Sequence, residues 1–138
     1  MSERLIRIAA LYLVLGVTMG IVMGITQQFS LAPVHAHINL LGWVTLGIVG
    51  IVYRLYPAAA QTRLAQVHFW IHNTALPVFM VGLGFVLTGH EAFVPVTIVG
   101  ATAVFAGIIV LAVNLWLTVS PSTMRDATIA AGAARAGT

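Results

Sequence analysis

Residues 31–57 read LAPVHAHINLLGWVTLGIVGIVYRLYP. From Val34 to Tyr56 the run is apolar except for a few polar side chains near its start and Arg54 near its end. About 20 such residues suffice for a helix to cross a bilayer. Pro33 stands where a first helical turn tolerates proline, because its missing N–H has no helical partner there in any case. The stretch therefore predicts a membrane span over about residues 34–56. It also poses the functional question, because His35 and His37 sit near the start of that span.

The rest of the chain supports a membrane setting. Hydrophobic residues make up 60% of the 138 residues and charged residues only 7%. A water-facing surface usually carries about a quarter charged residues, so a soluble domain is excluded. Three more apolar segments lie at about 5–26, 64–88 and 93–118. The expected fold is an all-α integral membrane four-helix bundle over residues 1–119, followed by a short flexible cytoplasmic tail over 120–138. The first apolar run is too long for a cleavable signal peptide. There is no cysteine, which excludes thiolate metal sites, disulfides and covalent haem attachment.

Orientation follows from the arginines. Arg4, Arg7, Arg54, Arg63, Arg125 and Arg135 all fall on one side of a four-span chain. The positive-inside rule makes that side, and both termini, cytoplasmic, which puts the protein in the inner membrane as a multi-pass chain. The same rule reads the net charge of +3 as a topology signal, with no nucleic-acid partner implied. The opposite face carries Glu91 as its one formal charge.

Five histidines then stand out. His35 and His37 are two apart, so their side chains point about 200° from each other around a helix and one helix serves two sites. Asn39 lies on the face of His35 and is placed to orient its ring by a hydrogen bond. Gly42 lacks a side chain and would let a flat ligand approach. Leu41, Val44 and Ile48 form an apolar wall behind His37, suited to a porphyrin or to lipid. His68 and His72 have the i, i+4 spacing that lets two imidazoles share a metal, or meet the plane of a bound cofactor at successive heights. His72 should lie about 10–12 Å above the start of its helix, at a level about 10 Å or more from that of His37. His90, beside Glu91, sits in the outer loop on the side of His35 and His37. Each has a plainer reading. The outer pair would then be wet at the headgroup level, His68 would cap a turn near Trp70, His72 would bond a neighbouring helix and His90 would be a turn residue. Ionisable groups inside spans are nonetheless functional candidates by default.

Gly16, Gly20 and Gly24 form a small-residue stripe on the first span. Such a stripe serves either internal packing or a homo-oligomer face.

At HAHINLLGWVTLGIVGIVYRLYP (residues 35–57) the chain resembles the His-x-His helix of subunit I of the haem-copper oxidases, especially C-type cytochrome oxidases and nitric oxide reductases. VHFWIHNTALPVFMVGLGFVLTG (67–89) resembles the helix that follows it. The likeness covers about residues 31–88, and the two outer spans match only in hydropathy. The resemblance implies non-covalent haem b, with His35 as axial ligand of a high-spin haem and His37 as one ligand of a low-spin haem. It also marks what is missing. The second low-spin ligand and the three copper-site histidines of the family have no match, so one copy is not a whole oxidase and enzymatic activity stays open. His72 and His90 match no family position and are free to replace missing ligands. His37 could pair with His90, with His72 or with a histidine of a neighbouring protomer.

The function expected is therefore a haem-binding membrane protein with an electron-transfer or O2/NO-binding role. The alternatives are a copper or other transition-metal protein (sensor, carrier or assembly factor), with His35, His37, His72 and His90 as metal ligands, and a structural subunit of a larger membrane complex. No Ser–His–acid set supports hydrolytic chemistry.

Overall fold

Hydrocarbon offers a peptide group no hydrogen-bond partner, so a chain this apolar must satisfy its backbone within helices. The computed structural model describes residues 1–119, and these contain no strand. Four of its helices are long and apolar enough to cross a membrane. They are α1 (Ser2–Thr26), α2 (Ala32–Leu55), α4 (Arg63–Leu87) and α5 (Val94–Thr118). A short α3 (Pro57–Ala60) links α2 to α4, and a 3₁₀ turn (Glu91–Phe93) leads into α5. The expected tail, with Arg125 and Arg135, lies outside the described residues.

Local chemistry sets the ends. α1 stops at Gln27, which takes the left-handed conformation (φ 54°). Pro33 sits in the first turn of α2, and Pro95 in that of α5. The hydroxyl of Thr62 caps α4 by accepting the Ala65 N–H at 3.0 Å. α2 carries one irregularity, a π-helical segment over Ile38–Thr45. Its widened register shows in a side chain: the Thr45 hydroxyl donates to the carbonyl of Leu40, five residues back, at 2.8 Å. π segments inside α-helices frequently mark functional sites. This one begins immediately after His37.

Packing is concentrated within two hairpins, α1 with α2 and α4 with α5. The hairpins meet along a thinner seam between α2 and α4. One apolar cluster gathers Leu5, Ala9, Leu46, Val49, Tyr53, Ala59, Ala65 and Leu111. The other joins Val34 and Ile38 to Ala75, Leu76, Met80 and Val104. The surface inverts the soluble pattern. Ile25 is 78% exposed and Trp116 89%, while His68, His72 and Asn114 are 0% exposed. Apolar surface of this kind suits contact with lipid.

Asn114 ties the arginine-bearing end together. Its amide donates to the Tyr53 hydroxyl at 3.2 Å and to the Ala59 carbonyl at 3.0 Å. Its carbonyl oxygen accepts the Thr62 hydroxyl at 2.7 Å. One side chain thus joins α2, α3, the cap of α4 and α5. Glu3 and Arg54 lie 3.9 Å apart at the same end, both largely exposed, so they add little. Replacing Asn114 by Ala strands several of these buried groups without partners. The expected loss is about 1–3 kcal/mol, read as a lower denaturation midpoint in micelles with helical content retained.

Candidate functional site

His35 and His37 occupy the first turns of α2 and address different neighbours. The His35 ring turns toward α1, where its Nδ1 lies 2.8 Å from the Gly16 carbonyl. A carbonyl only accepts, so Nδ1 carries the proton. Nε2 keeps its lone pair, and no side chain or backbone group bonds it among the described residues. The ring fits against α1 because α1 is bare there: a Cβ on Gly20 would come within 3.0 Å of the His35 Cε1 atom. His37 is anchored within its own helix, with Nδ1 donating to the Pro33 carbonyl at 2.7 Å. Its ring packs edge-on against Phe79 of α4, centroids 5.2 Å apart. Its Nε2 likewise keeps its lone pair. One helix therefore presents two imidazoles of defined tautomer toward two different neighbours, as the two-residue spacing predicts.

The details around this pair differ from the sequence expectations. Asn39 does not orient the His35 ring. Its amide donates to the His35 backbone carbonyl at 2.9 Å, because the local helical acceptor is nearer than the ring. It also packs over Gly16, where a Cβ would collide with its side chain. Gly42 does not open a face to a flat ligand either. The Tyr12 ring of α1 fills the space above it. The glycine stripe divides: Gly16 and Gly20 serve internal packing against Asn39 and His35, whereas a Cβ on Gly24 would meet nothing within 4 Å. Of the wall proposed behind His37, Val44 and Ile48 are exposed and Leu41 half-buried.

His68 and His72 form a second, deeper pair on α4. Both are fully buried, with ring centroids 5.3 Å apart. This removes the reading of His68 as an interfacial cap beside Trp70, which is 65% exposed on another face. The His72 Nε2 donates to the Leu41 carbonyl at 3.0 Å, across the seam and into the π segment of α2. The plainer reading of His72, a bond to a neighbouring helix, thus accounts for one nitrogen. Its Nδ1, and both ring nitrogens of His68, are buried with no hydrogen-bond partner. The carbonyl oxygen of Asn73 is in the same condition, its amide having gone to the Phe69 carbonyl at 2.7 Å.

The two pairs stay apart. His72 precedes Phe79, the neighbour of His37, by seven residues, or about 10 Å of helix rise. His90 is exposed in the loop between α4 and α5, 3.3 Å from the Thr88 hydroxyl and edge-on to Phe85. Among the described residues no three His, Asp or Glu side chains converge. A further groove of roughly 350 Å³ runs between α1 and α4, lined by Leu11, Tyr12, Leu15, Ile38, Pro77 and Met80 among others. It is apolar and adjoins Ile38, the residue after His37.

Asn114, Tyr53 and Thr62 were not singled out from the sequence. The one amide within the fourth span was the available signal, since a polar side chain inside a span needs a partner. Phe79 gave no signal, being one aromatic among many apolar residues. No protein-family model, characterised protein or solved structure matches this chain. Four apolar helices and a histidine-bearing interior define its class as a multi-pass, all-helical membrane protein.

Proposed function

We propose that this chain is a haem-binding protein of the inner membrane, similar to a fragment of haem-copper oxidase subunit I, with both termini cytoplasmic. The observation that carries the reading is the hydrogen bonding of His35 and His37. Each gives its Nδ1 proton to a backbone carbonyl and keeps Nε2 free. An axial imidazole needs this state, with one nitrogen fixed by an acceptor and the other basic toward iron. The residues present therefore fit the group. Non-covalent attachment follows from the absence of cysteine.

His35 and His37 would each hold an iron from a different face of α2. Phe79 would limit rotation of His37, and the Gly16–Gly20 notch would fix His35. The apolar groove beside Ile38 would shelter part of a macrocycle from the lipid. The remainder would be covered by lipid or by a second copy of the chain, which makes a homo-oligomer part of the proposal. Haem held by these residues would supply either a redox couple or a binding position for O2 or NO. Arg4, Arg7, Arg54 and Arg63 support the orientation through the positive-inside rule.

The test is a visible spectrum of protein purified from haem-sufficient cells. A stoichiometric Soret band is expected, and its shift with CO or NO distinguishes an open site from a closed one. A colourless protein that also takes up no added haemin would overturn the reading.

A further inference from the structure

His68 and His72 are not needed for the haem reading, and their burial demands its own account. An imidazole ring nitrogen buried without a partner carries the full desolvation penalty of an unmade hydrogen bond. Here three of them gather on one face of α4. Only His72 Nε2 is committed, to the Leu41 carbonyl, and that bond fixes the tautomer. The carbonyl must receive a proton, so Nδ1 of His72 carries a lone pair. The His68 ring lies beside it, centroids 5.3 Å apart and planes inclined by 58°. As a neutral imidazole it too presents one lone pair.

We propose that His68 and His72 bind a single cuprous ion between them. The ligand set selects the ion. Zinc in a structural site takes four protein ligands, and no third His, Asp or Glu joins this pair among the described residues. No acidic side chain lies within the α4 span to offset charge. The cost of placing an ion in low dielectric rises with the square of its charge, so a divalent ion would cost about four times as much as a monovalent one. Cu(I) is monovalent, is content with two donors, and accepts imidazole. Coordination places one metal–nitrogen bond on each ring and leaves the Leu41 bond intact. The site shares no residue with the His35–His37 pair.

The experiment uses the purified full-length protein in detergent. Cu(I) is delivered anaerobically in competition with a chromogenic Cu(I) chelator, and X-ray absorption reports the coordination number. The expected result is one equivalent per chain, two nitrogen donors, and a higher denaturation temperature with Cu(I) than without. His68→Leu is the informative variant, because His68 makes no hydrogen bond that its removal would break. It should weaken Cu(I) binding by about 100-fold or more, since loss of an outer partner alone reaches that figure. Metal-free, it should melt above the metal-free wild type, because leucine fills the space without unpaired nitrogens. His72→Leu should also lose Cu(I), though it additionally cuts the tie to Leu41. The assignment is overturned if the wild type takes up no stoichiometric Cu(I), if it prefers Zn(II), or if His68→Leu binds Cu(I) as the wild type does. The Soret band is recorded on the same samples. Loss of haem with Cu(I) retained would strike the haem reading alone, and the reverse would strike this one alone.

Discussion

His37→Ala purified from haem-sufficient cells is expected to retain less than about a tenth of the haem component that His37 holds, with the His35 component kept. The estimate follows from affinity arithmetic: each 1.4 kcal/mol is tenfold in binding, and an iron–imidazole bond exceeds that. The substitution also removes the ring that packs on Phe79, so the pocket would lose both its ligand and one wall. His35→Ala should act on a different spectral component, because the His35 ring faces α1 rather than α4. The two single variants should therefore give distinct difference spectra, and the double variant should be colourless. Unchanged haem content and line shape in both single variants would dismiss the ligand assignment. His90→Ala is the control, since His90 is exposed in a loop and touches neither ring.

Gly100→Val should have the largest effect on folding. A Cβ at Gly100 would lie 2.7 Å from both the Cα and the backbone nitrogen of Phe79. Backbone cannot swing aside as a flexible side chain can, so α5 would have to lift away from α4. Gly82 meets the backbone of Thr97 in the same way, which makes the α4–α5 hairpin a close contact of two helix backbones. Close approach of this kind is the main source of helix–helix affinity in lipid, where the hydrophobic effect does not drive helices together. The expected cost is about 3 kcal/mol, the top of the usual range for overpacking, measured as a fall in denaturation midpoint and loss of folded protein in micelles. Because Phe79 also touches His37, haem content should fall with it. Gly24→Val is the matched control. Nothing lies within 4 Å of a Cβ there, and its effect should stay within about 0.5 kcal/mol.

The spans were legible because hydropathy and length are local properties. The expected limits 34–56 and 64–88 compare with Ala32–Leu55 and Arg63–Leu87. The divergence of His35 and His37 was legible too, since it needs only 100° per residue over two steps. Contacts between helices were not. Asn39 sits on the face of His35, yet a backbone carbonyl four residues back competes for its amide and wins. Gly42 reads as an opening until the Tyr12 ring from another helix is placed over it. The π segment changes the register of α2 after His37, and no residue type announces such an insertion. The i, i+4 spacing of His68 and His72 was visible, but their complete burial depends on how α2 and α5 close over α4.

The division into two self-packed hairpins has a consequence for biogenesis. The ribosome delivers α1 and α2 first, and these two helices pack on each other without help from the second hairpin. Until α4 arrives, the ring of His37 has no Phe79 against it and faces the lipid. A haem of the kind proposed, diffusing laterally, would meet the His37 ring uncovered at that moment. The second hairpin then acts as a late-arriving door, latched by His72 on the Leu41 carbonyl at mid-depth and by Asn114 at the arginine-bearing end.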